Sequence, residues 1–116
     1  MVEITDYCGI VSGKKTDKSE VFDLFYGELE TAPLIRNCPL SIECELVEII
    51  ESASNEIFIG EIMAIYTEEK FLTEGKPDFG KMKPLILSQP DTAYWSLGKS
   101  VAKAWSIGKK HKAERK

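Results

Sequence analysis

The sequence predicts a mainly β protein built on antiparallel sheet, with one or two short helices. Three observations lead there. Residues 39–50 and 57–66 read as two long strands joined by a short polar loop. Residues 84–88 (PLILS) add a shorter strand. Helical spacing of apolar residues occurs in only two stretches, one beginning at Asp17 and one at Tyr94.

Taken in chain order, residues 2–13 (VEITDYCGIVSG) are a short mixed segment. Asp17 then opens a predicted helix. Asp17 and Glu20 stand at capping-box spacing, Val21, Phe22, Leu24 and Phe25 make an apolar stripe, and Gly27 suits the stop. Residues 28–37 read as a connecting loop broken by Pro33.

In the first long strand, Leu40, Ile42, Cys44 and Leu46 alternate with Ser41, Glu43 and Glu45, the period of a strand with one wet face. The alternation slips at Leu46-Val47. Either a β-bulge or burial on both faces explains the slip. The second strand is apolar on both parities apart from Glu61, which predicts a central strand. Gly60 within it marks a bend or a close approach by another backbone or a ligand.

Residues 67–83 are polar and turn-rich, with Glu74-Gly75-Lys76-Pro77 as the clearest turn, and Gln89-Pro90-Asp91 turns again. Residues 94–108 carry Leu97, Val101, Ala104 and Trp105 at helical spacing, with Ser96 as a cap and Gly108 at the end. Two strong strands and one weak one make a thin sheet. Its missing pairing is expected from another subunit or from an N-terminal segment outside this chain.

The 116 residues correspond to one domain or part of one, expected over residues 1–108, with residues 109–116 as a basic flexible tail. The net charge is −4 and the tail carries +4, so the rest carries −8. An acidic body does not point to nucleic acid. No apolar run is long enough for a membrane span, and no secretory signal pattern opens the chain. Three cysteines (Cys8, Cys38, Cys44) without a C-x-x-C pattern fit a reduced, cytoplasmic setting. The single histidine, His111, leaves metal binding and His-dependent nucleophilic catalysis without support.

Ser12-Gly13-Lys14-Lys15-Thr16 resembles a phosphate loop, but Gly9 and Gly13 are one residue too close and a lysine follows Lys14. A weaker anion site at Gly13, Lys14, Lys15 and the following helix start stays open beside a plain turn with solvated lysines. Tyr94, Trp95 and Trp105 concentrate aromatic surface near the C-terminus, for core, interface or a flat cofactor.

Four segments in order, DYCGIVSGKKTDK, NCPLSIECELVEII, NEIFIGEIMAIY and YWSLGKSVAKAWSIGK, resemble flavin reductase-like, FMN-binding split-barrel proteins, above all their flavoredoxin-type branch. The resemblance runs over residues 6–109. It implies a six-stranded antiparallel split barrel and a homodimer with noncovalent FMN near the subunit interface. It implies electron transfer through FMN to a redox partner protein, or flavin reduction by NAD(P)H. The flavin then does the redox work.

Relatives typically carry an N-terminal portion before the DYCGIVSG segment, so the chain is expected to match the C-terminal part of the fold, without its first strands. By the same resemblance, Tyr7, Cys8, Gly9, Ser12, Gly13 and Lys14 lie near the flavin. Tyr94, Trp95 and Trp105 match aromatics by the site or the dimer partner, and Lys103 and Lys109 are weaker candidates for flavin contact. Asn55 stands where many relatives have a histidine, on the substrate side. The contrasting expectation is a cofactor-free remnant of the fold acting as an interaction module.

Overall fold

The protein is seen in a computed structural model that describes residues 1–111. Among the described residues eight strands pair two by two, always antiparallel, and two short α-helices accompany them. The mainly β, antiparallel character with short helices is the one expected. The described chain divides into two compact units, Met1–Met82 and Lys83–Lys116. Of the expected basic tail, residues 112–116 lie outside the described residues.

The first unit begins with helix α1 (Val2–Ile10), in the stretch read as mixed. Thr5 donates its hydroxyl to the Met1 carbonyl at 2.9 Å and closes the first turn. The sequence hides this helix because its apolar residues fall on no single stripe and none of them is buried.

The helix expected from Asp17 is replaced by a 3-10 turn, Lys18–Val21. Asp17 does cap it, but through Ser19, whose N–H and hydroxyl donate to Oδ1 at 2.9 and 2.6 Å. The apolar stripe goes into strand β1 (Leu24–Tyr26) instead. Its partner is β2 (Pro33–Ile35), inside the segment read as loop. Pairing Phe25 with Leu34 makes Leu34 one of the two buried apolar residues of the described chain. That tertiary gain overrides the helical spacing.

Strands β3 (Leu40–Ser52) and β4 (Asn55–Thr67) form the long hairpin. A two-residue loop joins them, and Ala53 takes the left-handed φ of 42° that such tight loops demand. The ladder is regular except at two places. Met63 is an extra residue on β4 between the Glu43 and Cys44 pairs, and Val47 is an extra residue on β3 between the Leu46 and Glu48 pairs. The slip at Leu46-Val47 is therefore a bulge. Gly60 sits opposite Leu46 within the shifted segment. A Cβ there would stand 3.0 Å from the Cys44 Cβ, so the close approach is by the paired strand.

Two expectations about this hairpin are reversed. First, β4 is not central: among the described residues it pairs with β3 alone. Second, the wet face and the apolar face exchange roles at the hairpin base. Directly paired residues share a face. One face therefore carries Ile42, Ile65, Cys44, Ile62, Leu46, Ile49 and Phe58, all exposed. The other carries Ser41, Tyr66, Glu43, Glu45, Glu61 and Glu48, with Ile59, Ile50 and Ile57 toward the tip, and there Glu43 is only 1% exposed.

Glu43 is buried because it is fully used. Its Oε1 accepts the Leu29 N–H at 2.8 Å, and its Oε2 accepts the Glu28 N–H at 3.0 Å and the Tyr66 hydroxyl at 3.1 Å. The Tyr66 ring meets Phe25 of β1 edge-on at 5.8 Å. These contacts fasten the segment after β1 onto the hairpin base. Burial disfavours the charged carboxylate, but the donated bonds from Leu29, Glu28 and Tyr66 outweigh it and hold its pKa below the ordinary value. Burial and the facing Glu43 push the Tyr66 hydroxyl up.

Beyond β4, a small hairpin pairs β5 (Leu72–Thr73) with β6 (Lys76–Pro77). Glu74 and Gly75 both have positive φ, as a two-residue hairpin turn requires. Asp78 accepts from Thr73 Oγ1 at 2.6 Å and from the N–H of Gly80 at 2.9 Å, which starts helix α2 (Phe79–Met82).

The second unit holds a hairpin of β7 (Leu85–Ser88) and β8 (Ala93–Ser96). The strand at 84–88 is thus as expected, but the helix expected over 94–108 is not formed. Tyr94 and Trp95 pair with Leu87 and Ile86, and regular structure returns only in a 3-10 turn at Ile107–Lys110. Aromatic residues favour the pleated ladder, and Gly98 weakens a helix start.

Two predictions follow from the hairpin base. A Cβ on Gly27 would lie 2.2 Å from the Tyr66 hydroxyl, so Gly27→Ala is expected to cost about 1–3 kcal/mol in urea unfolding. Gly13→Ala, with nothing within 4 Å, is the control and is expected to stay near wild type. The folded pKa of Glu43 is depressed, so its stabilisation is complete above the ordinary 4.5 and is lost as pH falls through the lower folded value. Glu43→Gln is expected to flatten the acid limb of a urea-midpoint against pH profile; an unchanged limb would refute this role.

Candidate functional site

Helix α1 delivers the chain into a loop that Ser12 organises. The Ser12 carbonyl accepts from the N–H groups of Lys15 at 3.0 Å and Thr16 at 3.3 Å, and its Oγ accepts from the Lys14 N–H at 3.3 Å. Lys18 Nζ reaches back to donate to the Cys8 carbonyl at 2.6 Å. The 3-10 turn after the loop is closed by Asp17. The Ser19 hydroxyl and N–H hold the Asp17 carboxyl below its usual range.

These constraints shape an open cleft of about 510 Å3 lined by Gly13, Lys14, Lys15, Thr16, Asp17, Lys18 and Ser19. Three lysines and one aspartate line it, so the cleft favours an anion. Asp17 already occupies the Ser19 N–H, which leaves the work to the lysines. Lys14 and Lys15 are both exposed. The chemistry on offer is electrostatic capture of a phosphate-sized anion, with hydroxyls of Thr16 and Ser19 beside it.

The residues singled out from the sequence separate into three places. Ser12, Gly13 and Lys14 share this loop, and Tyr7, Cys8 and Gly9 precede it on α1, where Tyr7 and Cys8 are half-buried. The Cys8 carbonyl is tied to the loop by Lys18. Asn55 opens β4 opposite Ser52 at the hairpin tip and lines a different cleft with Glu51, Ser54 and Phe58.

Tyr94 and Trp95 belong to β8 of the second unit. Trp95 Nε1 donates to Ser88 Oγ at 2.7 Å, and Ser88 in turn contacts the Asp91 carboxylate. Trp105 is 93% exposed, at a left-handed φ of 54°. The Lys103 carbonyl accepts from the N–H of Ile107 at 3.2 Å, ahead of the turn that holds Lys109.

One cleft was not legible from sequence. It has a volume of about 520 Å3 at the hairpin base, lined by Phe25, Arg36, Asn37, Cys38, Ser41, Tyr66, Thr67 and Glu68. Arg36 lies over the Phe25 ring at 5.2 Å and pairs with Asp23 at 3.2 Å. The cleft's residues come from β1, β3 and β4 and from the segments just after β2 and β4, and no spacing rule links them. Among the described residues no cluster of His, Cys, Asp and Glu could hold a metal, and no helix is long and apolar enough to cross a membrane.

Comparison with known proteins places this geometry in context. A family model described as flavin reductase like domain matches residues 1–94. The crystal structure of flavoredoxin from Methanosarcina acetivorans superposes with a TM-score of 0.91 at 53% identity, over 94% of this chain and 59% of that one. The flavoredoxin of Desulfovibrio vulgaris (Miyazaki F) superposes with a TM-score of 0.83 at 36% identity, over 92% of this chain and 58% of its own. An uncharacterized protein of Archaeoglobus fulgidus is 33% identical over 72 residues, 60% of this chain and 40% of its own. The chain thus spans about three-fifths of the two solved flavoredoxins and less than half of that archaeal relative.

The Lys18 bridge yields a test of the loop. Because α1 buries no residue, Lys18→Met is expected to free it and to speed alkylation of Cys8 severalfold, with about 0.5–1.5 kcal/mol or less lost in unfolding. An unchanged alkylation rate, read by peptide mass mapping, would count against the bridge.

Proposed function

The chain belongs to the flavin reductase-like domain family, and on that premise we propose that it is a flavin-binding redox protein. The carrying observation is the 0.91 superposition on a flavoredoxin at 53% identity. The reading is of noncovalent FMN, reduced by NAD(P)H as in a flavin reductase or passing electrons to a partner protein as a flavoredoxin does. The protein acts as a homodimer in the cytoplasm.

The residues on hand suit FMN unequally. The lysine-lined cleft at 13–19 fits its phosphate, through Lys14, Lys15 and the hydroxyls of Thr16 and Ser19. The isoalloxazine ring needs a flat apolar wall, and none of the seven residues lining that cleft supplies one. In this reading Tyr7, Cys8 and Gly9 border the ring side and Ser12, Gly13 and Lys14 the phosphate side. Asn55 stands on the nicotinamide side, as a neutral amide that neither gives up nor takes a proton near pH 7. When bound, FMN supplies one- and two-electron chemistry; the chain's part is to hold and orient it.

Titration with FMN and with riboflavin tests this reading. Flavin fluorescence is expected to report saturable FMN binding. The double variant Lys14→Glu, Lys15→Glu is expected to weaken FMN at least tenfold, about 1.4 kcal/mol, while riboflavin, lacking the phosphate, changes little. A chain that takes up no FMN would favour the cofactor-free interaction module instead.

A further inference from the structure

Of the three lysines that line the cleft at 13–19, Lys18 alone is half-buried; Lys14 and Lys15 stand exposed. Its Nζ is already committed on one side. It donates to the Cys8 carbonyl at 2.6 Å, on helix α1. An ammonium has three N–H donors, so the carbonyl leaves two for a second acceptor. Lys18 therefore belongs to the cleft and to the helix together.

The loop backbone has little left to offer an anion. The N–H groups of Lys14, Lys15 and Thr16 go to Ser12, and that of Ser19 goes to Asp17. Side chains must supply the grip. Three lysines against one aspartate give the lining a charge of +2. A phosphate monoester carries about −1.5 to −2 near pH 7. Without Lys18 the lining would fall to +1 and leave a dianion unmatched.

The three lysines differ in what contact costs them. Lys14 and Lys15 must give up side-chain freedom to hold a ligand. The Cys8 carbonyl has already fixed Lys18, so its contact costs less. The exposed pair draws an anion in, and the anchored lysine sets where it stops.

The same bridge bears on the helix. Helix α1 buries none of its residues, so packing does little to hold it. An anion on the free side of the ammonium limits the motion of Lys18 and so tightens its hold on the Cys8 carbonyl. Coupling of this kind is reciprocal: a docked helix presents a better anion site, and a filled site keeps the helix docked.

We propose that Lys18 is a positioning residue that holds the Cys8 carbonyl and a bound phosphate group at once, so that filling the cleft clamps helix α1. The inference rests on the cleft being an anion site, as in the reading above, but does not require the anion to be FMN.

The experiment follows alkylation of Cys8 by iodoacetamide, a neutral reagent that a bound anion does not repel. Peptide mass mapping reads Cys8 and, as an internal reference, the exposed Cys44 on β3. Inorganic phosphate and FMN are added in turn, against sodium chloride at equal ionic strength. Calorimetry reports phosphate binding and flavin fluorescence reports FMN binding, each independently of the thiols. Saturating phosphate is expected to slow Cys8 about fivefold, the low end of ordinary coupling, and to leave Cys44 unchanged. Lys18→Met is expected to abolish that protection and to weaken phosphate by a similar factor. The double variant Lys14→Glu, Lys15→Glu keeps the bridge, so Cys8 starts at the wild-type rate but loses its protection at the same phosphate concentration.

Bound phosphate that leaves the Cys8 rate unchanged overturns the proposal. So does a faster rate, which would mean that the anion pulls Lys18 off the carbonyl. Protection that survives Lys18→Met overturns it as well, since the anion would then merely cover the thiol. A chain that binds neither phosphate nor FMN removes the anion site and the proposal with it. FMN bound with no change at Cys8 sinks the clamp and leaves the flavin reading standing. Protection by phosphate without FMN uptake does the reverse.

Discussion

One buried carboxylate organises the first unit. Glu43 accepts three hydrogen bonds, two of them from the backbone just after β1, and Tyr66 from the far strand completes the set. A charge so placed is costly unless every partner is present. The surrounding residues answer that demand. Gly27 has no side chain because the Tyr66 hydroxyl fills its space. Phe25 meets the Tyr66 ring in a T-shaped contact, and Arg36 lies over the Phe25 ring. The segment after β1 is held to the hairpin base by keeping that carboxylate satisfied.

The same constraint explains the inverted hairpin. Alternation along β3 promises an apolar face turned inward and a glutamate face in water. The protein instead buries the glutamate side at the base and leaves the isoleucines open. Local pattern reports which residues share a face; it does not report which face meets the rest of the protein.

That difference marks what was legible. Both long strands, the bulge at Val47, the turn at Glu74-Gly75 and the strand at 85–88 were visible as period, parity slip or turn chemistry. The loop at Ser12-Gly13-Lys14-Lys15 was visible as a candidate anion site. Helix α1 was not, because it buries nothing. The spacing of Leu97, Val101, Ala104 and Trp105 was coincidental, and Trp105 stands almost fully exposed. Glu43 gave no signal, since its acceptors' partners are backbone groups 14 and 15 residues away. Sequence pattern carries side-chain periodicity well and says little about backbone donors arriving from elsewhere.

The two bulges have a consequence for how this hairpin can change. Met63 adds one residue to β4 and Val47 adds one to β3, so the ladder leaves its register and then returns to it. The strands therefore keep a common length only as a pair. Losing either extra residue alone would push the tip out of step, and the loop at Ala53 would have to absorb the mismatch. Losing both would leave the arms equal and the sidedness intact. Lineages of this fold should accordingly gain or shed hairpin residues in matched events, one on each arm.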